Sequence, residues 1–369
     1  SSLRMASSEV TAAASFALSL LRTSPSPRSS FVLSPFSLAA ALAMLHEGAS
    51  DDGKDELTQL LLKGHSADEV AVFYSELTSS LSSADGKEAP ATTANRLYVD
   101  QAYPILDEYR CRIQEKFGAD VETVSFGAAE AAAANINSFV EEKTNNKIKD
   151  LVKAEGIADA VAALINAVHF KESWKVEFDK ENTQEGTFYG LDGERNEPFM
   201  RQRKVPARFG RAVDVTSLAL EYKDTAYSML MMMPEEGKFE EFRESLTAEK
   251  LLEIISQLRK TEVDVSLPKF TIESSLDGAA SLRALGVSAI FDKPGSLSGI
   301  SGDGRLKVSD IIHKAVIEVN EVGTEAAAAT AVVMLTRCAI SRPSFRADRP
   351  FLYAVLKDDT HVLFLGQYC

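Results

Sequence analysis

Residues 321–330 read EVGTEAAAAT, and they open a longer stretch, 321–343, on which the interpretation of the whole chain depends. The alanine run favours a helix on intrinsic propensity. The β-branched residues around it, such as Thr324 and Val332, favour an extended chain instead. A segment with both preferences takes the conformation that its surroundings impose. From this window alone an alanine-rich surface helix is the simplest interpretation, and the rest of the chain argues against it.

The stretch resembles the hinge of the reactive-centre loop of serpins, a family of serine protease inhibitors, whose usual form is EEGTEAAAAT. Only Val322 departs from that form. The resemblance implies that 321–343 is an exposed reactive-centre loop. Its implied hinge residues are Glu321, Gly323, Thr324, Glu325, Ala326, Ala327, Ala328, Ala329 and Thr330. In inhibitory members the cleaved bond follows the fourteenth residue after the glycine, which places the reactive bond between Arg337 and Cys338. Leu335, Thr336 and Arg337 would then set the specificity.

Three further segments resemble parts of serpins that control the opening of the main β-sheet. They read FVLSPFSLAAALAMLHEGA at 31–49, LINAVHFKESWKVEF at 164–178 and LKVSDIIHKAVIEV at 306–319. Together with one lysine outside these segments, the resemblance assigns this role to Ser34, Ser37, Asn166, Trp174, Lys269 and His313.

Each of these residues also has a simpler interpretation. Ser34 suits a helix N-cap, Trp174 suits an ordinary core, and His313 suits a core or an exposed position. Asn166 is harder to dismiss, because it lies in an apolar run where its amide must find hydrogen-bond partners. The resemblance also brings Glu321 and Lys269 to the same end of the main sheet, which predicts an ion pair; the alternative is two separate surface charges.

The length and the extent of the resemblance bear on domain organisation. A chain of 369 residues exceeds the usual size of one domain, so two domains are expected unless one large mixed fold covers it. The resemblance runs from about residue 9 to 368 and implies one serpin domain over 1–369, with an N-terminal tail or cloning remnant at 1–8. The implied fold is mixed α/β (α+β), with three β-sheets and about nine α-helices.

Hydrophobic periodicity places several elements. Apolar residues recur at helical spacing over 8–21 and 129–148, and 36–45 is apolar nearly all round, which predicts a buried helix. Alternation across 218–233 predicts a β-hairpin. The C-terminal stretch 345–368 predicts two apolar strands around a polar turn.

The composition argues against several classes of partner. The formal charge is −14, from 54 acidic and 40 basic side chains, which disfavours a nucleic-acid partner. The basic run at 204–211 fits a solvated face better than a heparin site. Where heparin-binding serpins carry a row of lysines and arginines, this chain has only Lys63 and Lys87. No apolar run approaches the ~20 residues that span a bilayer. We expect no nucleic-acid or membrane partner and no heparin activation.

The cysteines bear on the compartment. Cys111, Cys338 and Cys369 are few and far apart, which does not suggest a disulfide framework. This usage predicts a cytoplasmic protein. The alternative is a secreted protein whose signal peptide was removed before residue 1.

An enzyme interpretation finds no catalytic constellation in the sequence. The five histidines are scattered, none is spaced as a zinc pair, and there is no GxSxG motif. The glycine-rich run KPGSLSGISGDG at 293–304 lacks the spacing of a phosphate-binding loop. We therefore expect no enzymatic activity, no metal and no cofactor.

Arg337 predicts a trypsin-like serine protease as the partner, because a guanidinium fits a pocket that holds a carboxylate. The resemblance implies a suicide substrate, in which cleavage leaves a covalent acyl-enzyme and the loop then inserts into the main sheet. The residues that would face the core of that sheet are uncharged and small or β-branched: Thr324, Ala326, Ala328, Thr330 and Val332. The alternative is a non-inhibitory binding, carrier or chaperone protein. We expect a monomer that can polymerise.

Overall fold

The computed structural model describes residues 7–24, 26–81, 90–322 and 342–369. Its helices are α1 (Ser8–Arg22), α2 (Pro35–Gly48), α3 (Asp51–Leu61), α4 (Ala67–Leu81), α5 (Asp107–Phe117), α6 (Ala129–Lys143), α7 (Ala154–Ile157), α8 (Phe239–Ser245), α9 (Ala248–Gln257), α10 (Gly278–Ala284) and α11 (Ala289–Asp292). Its strands are β1 (Phe31–Leu33), β2 (Ala91–Asp100), β3 (Asp120–Val124), β4 (Ala162–Phe170), β5 (Gln184–Gly190), β6 (Gly193–Arg211), β7 (Val215–Glu221), β8 (Tyr227–Pro234), β9 (Arg259–Pro268), β10 (Phe270–Asp277), β11 (Asp310–Val319), β12 (Ser344–Arg346), β13 (Phe351–Lys357) and β14 (His361–Tyr368).

Side-chain caps fix the starts of the first two helices. The Ser7 side chain accepts a hydrogen bond from the Val10 amide, so the helix begins within the segment 1–8 that the sequence assigned to a tail. Ser34 caps α2 in the same way, and Pro35 follows in the first turn, where its missing N–H costs nothing. The starts of α1 and α2 therefore follow from local sequence.

Helix α6 ends at Lys143, five residues before the predicted end at 148. Asn145 and Asn146 adopt φ values of 50° and 60°, in the left-handed region that asparagine tolerates better than most residues. The Thr144 side chain then accepts a hydrogen bond from the Ile148 amide. These asparagines turn the chain away from the helix axis.

Five strands form one sheet in the order β10-β11-β4-β2-β3. Strands β4 and β11 are direct neighbours and run parallel, with Asp310 to Ile317 in register with Ala163 to Phe170. The outer pair β10 and β11 is antiparallel. Strand β4 is buried on both faces, as its nearly continuous apolar sequence predicts.

The remaining nine strands form a second sheet in the order β1-β14-β13-β8-β7-β6-β9-β12, with β5 paired to β6. The predicted hairpin at 218–233 is the antiparallel pair β7 and β8. Where the resemblance implies three sheets, the described residues form two hydrogen-bonded networks. The reason is that β6 is continuous for 19 residues: its first part pairs with β5 and its last part with β7.

The five-stranded sheet is covered on both faces. Ile136 and Val140 of α6 pack on one face against Ala163 and Ile165 of β4. The buried helix α2 lies against the opposite face, and residues such as Val168 join the core shared with the nine-stranded sheet.

Eleven α-helices are present in the described residues, and nine of them are longer than the four-residue α7 and α11. Among the same residues, every helix is too short or too polar to cross a bilayer. The mixed α/β class predicted from the sequence is confirmed.

Candidate functional site

Polar side chains meet at the centre of the five-stranded sheet, in what we call the central cluster: Ser34, Ser37, Asn95, Asn166 and His313. Asn95, Asn166 and His313 stand side by side on β2, β4 and β11. Asn166 and His313 form the fourth of the eight register pairs that join β4 to β11. Among the described side chains, this is the only polar contact between β4 and β11 on the face covered by α2. It lies near the middle of the ladder.

Asn166 uses its whole amide inside this cluster. Its Nδ2 donates to the side-chain oxygen of Ser37 at 2.8 Å, to the Ser37 carbonyl at 3.1 Å and to the Asn95 side chain. Its Oδ1 lies 2.5 Å from Nδ1 of His313. A fully buried amide without such partners would destabilise the fold by several kcal/mol, roughly 1–3 per lost group. The amide therefore ties β4 to β2, to β11 and to α2.

The protonation state of His313 follows from its partners. Its Nε2 accepts a hydrogen bond from the Ser34 amide at 3.0 Å, so this nitrogen carries no proton. Nδ1 must then be the protonated nitrogen that donates to Asn166. Burial lowers the pKa of His313 from 6.5 to about 3, which agrees with a neutral ring.

The arrangement is unsuited to nucleophilic catalysis by Ser34. A catalytic serine would donate its hydroxyl proton to a neighbouring base. The Ser34 hydroxyl instead donates to the Leu363 carbonyl at 2.7 Å, and the only acceptor nitrogen of His313 is occupied by a backbone N–H. The hydrogen bonds of the cluster join β2, β4, β11 and α2.

A second group of residues lies where the chain leaves β11, and we call it the loop-end cluster: Trp174, Thr183, Tyr222, Lys269 and Glu321. The Lys269 ammonium lies 2.9 Å from one carboxylate oxygen of Glu321, and the Thr183 hydroxyl donates to the other at 2.9 Å. The Glu321 side chain is 5% exposed and that of Lys269 is 45% exposed. Burial alone would raise the pKa of Glu321, but the hydrogen bonds from Lys269, the backbone and Thr183 outweigh it and lower the pKa.

Trp174 anchors the chain just before the hinge. Its indole N–H donates to the Asn320 carbonyl at 2.9 Å, and its backbone N–H donates to the Val322 carbonyl at 3.1 Å. Its ring stacks on Tyr222, with centroids 4.5 Å apart and planes inclined by 7°. The last described residues before Gly323 are therefore held by a rigid aromatic pair.

A third group, the helix-side cluster, consists of Lys147, His169 and Glu318. A Glu318 carboxylate oxygen lies 3.3 Å from Nε2 of His169 on β4 and 3.1 Å from the ammonium of Lys147, which follows α6. Burial lowers the pKa of His169, although Glu318 acts in the opposite direction. This cluster bridges β4 and β11 on the face covered by α6.

Sequence reasoning missed the helix-side cluster, Asn95 and Thr183. Asn95 stands in ATTANRLYVD, where a polar residue is unremarkable, whereas Asn166 stands out in an apolar run. His169 lies in the same apolar run as Asn166, so its buried position could have been predicted from the sequence. Its partners come from distant parts of the chain and could not be read from spacing.

The hinge residues 323–330 and the specificity and reactive-bond residues Leu335, Thr336, Arg337 and Cys338 lie outside the described part of the chain. The described residues continue from Arg342, whose guanidinium lies 4.0 Å from Asp264 of β9. The Asp264 amide donates to the Pro343 carbonyl at 3.0 Å, and β12 then pairs in parallel with β9. The far end of the predicted loop is thus joined to the edge of the nine-stranded sheet.

One group in the described residues has donor atoms close enough for a metal ion: Glu9, His65 and Glu69, whose ligand atoms lie within 4.8 Å of one another. Nδ1 of His65 lies 3.2 Å from a Glu69 oxygen, so the two side chains satisfy each other. The group lies at the start of α1 and α4, and nothing links it to the three clusters of the five-stranded sheet.

The family model described as "Serpin (serine protease inhibitor)" matches residues 11–369. The chain belongs to the serpin family. Serpin B6 of Pongo abelii is 34% identical over 366 residues, which is 96% of each chain. The similarity to serpin B6 therefore extends over nearly the whole chain.

Solved structures confirm that the fold is the serpin fold. Serpin48 of the insect Tenebrio molitor has a TM-score of 0.85 and 29% identity, and the match covers 97% of each chain. Human thyroxine-binding globulin has a TM-score of 0.86 and 27% identity, also over 97% of each chain. The first is described as a highly specific serpin and the second is a complex with thyroxine. The fold alone therefore does not distinguish a protease inhibitor from a binding protein.

Proposed function

We propose that this serpin inhibits a trypsin-like serine protease by acting as a suicide substrate. The observation that carries the proposal is the direct pairing of β4 with β11, which leaves a closed seam that a cleaved loop can enter. The sequence that follows β11 is suited to insertion, because residues 323–341 contain no proline and its inward-facing positions are small or β-branched.

The proposed reaction begins as normal proteolysis. The protease serine attacks the Arg337 carbonyl, the bond to Cys338 breaks, and the Cys338 amine leaves with the proton that the serine gave up. Arg337 remains attached to the protease as an ester. A free protease would complete the cycle by adding water to this ester, and inhibition requires that this second step fail.

Insertion supplies the reason for that failure. A chain that reverses direction after β11 runs antiparallel to both β11 and β4, so the single parallel ladder between them is replaced by two antiparallel ladders. About fourteen residues at ~3.3 Å each span roughly 45 Å. The attached protease would be carried that distance and distorted before it could hydrolyse the ester.

The three clusters have proposed parts in this movement. The central cluster would hold the seam closed until the loop is cut, since its hydrogen bonds cross from β4 to β11. The loop-end cluster would hold Glu321, at the start of the hinge, in the position where insertion begins. The helix-side cluster would couple the seam to the chain after α6, which lies over the face that must adjust.

The test is formation of a covalent complex with trypsin. The intact protein should give a complex that survives boiling in SDS, and peptide mapping should place the ester on Arg337. Arg337→Ala removes the guanidinium that trypsin binds and should reduce complex formation by more than about a hundredfold, since a lost specificity contact of this kind costs several kcal/mol. Arg305→Ala is the matched control, because it removes an exposed arginine in the segment before β11, outside the bait position.

A carrier function is the second candidate, favoured by the similarity to human thyroxine-binding globulin. A carrier needs no inserting hinge. An SDS-stable complex with trypsin would exclude carriage as the main role, whereas cleavage after Arg337 without a complex would favour it.

We further propose that residues 1–369 act as one serpin domain in the cytoplasm. The first and last strands, β1 and β14, pair with each other, so both ends of the chain contribute to one sheet. Cys111 and Cys369 are free thiols, which suits a reducing compartment. Helix α4 contains no lysine or arginine, and we propose on this ground that heparin does not activate the protein.

A further inference from the structure

The outer surface of β6 and β9 carries a concentration of positive charge in a strongly acidic protein. Residues 201–211 contain five basic side chains and no acidic one, and β9 begins with Arg259 and Lys260. One of the five, Arg208, is largely buried and paired with Asp359, so it adds little to the exposed charge. Strand register sets Lys260 beside Arg208 and Arg259 beside Phe209. Two acids of β9, Glu262 and Asp264, are the only negative charges within 201–211 and 259–266. We call this surface the basic strip.

One end of the basic strip is a β-bulge. The register of β6 with β9 shifts between Gln202 and Val205, so Arg203 and Lys204 have no partners on β9. Lys204 adopts φ 56°, a left-handed conformation that is unfavourable for lysine. The Asp264 carboxylate accepts a hydrogen bond from the Lys204 amide at 3.0 Å and so stabilises the bulge.

The bulge presents two charges to solvent. Both side chains are exposed, and among the described residues no carboxylate lies within 4.0 Å of either one. Bulges of this type reorient side chains at functional positions. The bulge at Lys204 therefore leaves two cationic side chains exposed to solvent and adds no ion pair to the fold.

The bulge lies close to the end of the predicted loop. Asp264, which accepts from the Lys204 amide, also lies 4.0 Å from the guanidinium of Arg342. Arg342 follows Arg337 by five residues, so the chain limits their separation to about 18 Å. A protease bound to its inhibitor covers about 800 Å² of the inhibitor, a patch roughly 16 Å in radius. Even at the full separation of about 18 Å, the edge of that patch lies within about 2 Å of Arg342, so a protease that binds Arg337 comes near the bulge.

We propose that Arg203, Lys204 and Arg342 form a secondary docking surface for an acidic patch on the target protease, on the side of the catalytic cleft that receives the residues after the cleaved bond. This inference rests on the proposed inhibitory function. The surface would accelerate the encounter with an acidic protease and discriminate against a basic one.

The position of the bulge separates this proposal from a general polyanion site. Arg211, Arg259 and Lys260 lie towards the other end of the basic strip. Arg211 is seven residues along β6 from Lys204, or roughly 23 Å, and Arg259 and Lys260 stand beside the residues five and four positions along, roughly 16 and 13 Å away. A long polyanion would use both ends of the strip. A protease centred on Arg337 would use the bulge end.

The experiment compares two charge-reversal variants that differ in position only. R203E/K204E alters the bulge end, and R259E/K260E makes the same change in charge at the far end. Association rates are measured with an anionic and with a cationic form of trypsin, in 20 mM and in 500 mM NaCl. Stoichiometry of inhibition and Tm are measured for each variant, and R203Q/K204N serves as a second variant because asparagine tolerates the left-handed conformation at 204.

We expect R203E/K204E to slow association with anionic trypsin by about tenfold in 20 mM NaCl and by less than about twofold in 500 mM NaCl, because salt screens the interaction. Association with cationic trypsin should be unchanged or faster. R259E/K260E should change either rate by less than about twofold, and the stoichiometry should stay the same throughout.

Three results would overturn the docking surface. Unchanged rates in both bulge variants, with normal complexes, would refute it while leaving the inhibitory function intact. Equal slowing by both charge-reversal variants, together with equal loss of retention on a heparin column, would assign the strip to polyanions instead. A wild-type protein that forms no complex with either trypsin would refute the inhibitory function, and the docking surface with it.

Discussion

Lowering the pH should destabilise the folded protein through His313, whose ring must stay neutral to join the closed seam between β4 and β11. The Nε2 atom accepts the Ser34 N–H, so a proton on Nε2 would set two donors against each other. The folded pKa, about 3, lies below the ordinary value of 6.5. A group whose pKa is lowered by folding contributes its full stability above the ordinary value, and this stability is lost as the pH falls through 6.5 towards the folded pKa.

The prediction is a loss of about 1.4 kcal/mol for each pH unit below 6.5, from this residue alone. It can be measured as the urea midpoint of the first unfolding transition at pH 7.5, 6.5 and 5.5. His313→Gln keeps a donor and an acceptor but does not titrate, so its midpoint should fall less steeply. Burial also lowers the pKa values of His46, His169 and His361, so part of the slope should remain. Equal slopes of midpoint against pH in the wild type and His313→Gln would show that His313 does not contribute to the pH dependence of stability.

The ion pair between Glu321 and Lys269 gives a second prediction for single residues. Glu321→Lys sets two ammonium groups at the start of the hinge and leaves the Thr183 hydroxyl without its acceptor. We expect polymerisation at 50 °C to become several-fold faster, as followed by native gels. An exposed pair contributes less than about 1 kcal/mol, but the buried Glu321 carboxylate raises the effect above that level.

The double variant E321K/K269E is the control for this ion pair. It restores opposite charges, and a double-mutant cycle isolates the pairwise contribution. Partial recovery of the monomer is expected. If E321K alone keeps the wild-type monomer yield and Tm, the pair has no role in holding the hinge.

Sequence reasoning found those site residues whose chemistry conflicts with their surroundings. An asparagine within AALINAVHF has to be explained, and so does a glutamate next to a glycine-alanine run. The partners of these residues were harder to predict, because Asn95 and Thr183 are ordinary within their own segments. Only the register of β2 with β4 and the packing of 180–184 against residue 321 bring them into the clusters.

Among the elements, the hinge is expected to act as a strand with two distinct faces. If the loop enters between β4 and β11, Ala328 belongs to the inward set and Ala327 to the outward set. A carboxylate on the inward face would be buried in the apolar space between α2 and the sheet, which costs several kcal/mol. A carboxylate on the outward face keeps more of its hydration.

Ala328→Glu should therefore convert the protein from an inhibitor into a substrate that trypsin cleaves and releases. Ala327→Glu carries the same charge one residue away and should remain an inhibitor. The measurement is the stoichiometry of inhibition, which should rise at least about tenfold in A328E and change less than about twofold in A327E. Equal behaviour of the two variants would mean that the hinge does not enter as an alternating strand.

The elements themselves were largely predictable, and the exceptions have local causes. Helix α2 and the hairpin β7–β8 follow from apolar patterning. The early end of α6 depends on the conformation of two asparagines, which hydrophobic periodicity does not register. The continuity of β6 across 19 residues joins strands that the resemblance assigned to separate sheets, and it depends on pairing partners far away in sequence.

For the whole molecule, the proposed mechanism requires that the closed seam be a higher free-energy state than the sheet with the loop inserted. The ladder between β4 and β11 spans eight register pairs, and insertion would replace it with two ladders on a strand of small residues. The polar groups of the central cluster would exchange partners during this change. In the proposed mechanism the uncut chain stays closed because its loop remains joined to the sheet edge through Arg342 and β12.

Cutting the bond between Arg337 and Cys338 should therefore raise the Tm of the protein. A chain of this size gains about 2 °C for each kcal/mol of added stability, so a net gain of about 5 kcal/mol would appear as a rise of roughly 10 °C. The nick can be made with an arginine-specific cysteine protease and the Tm read by calorimetry or circular dichroism. Nicked A328E is the control, since it has the same cut but a hinge that resists insertion, and its Tm should rise much less. A nicked wild-type protein that melts with the uncut one would show that no free energy is released by cleavage, and trapping of the acyl-enzyme would then have no driving force.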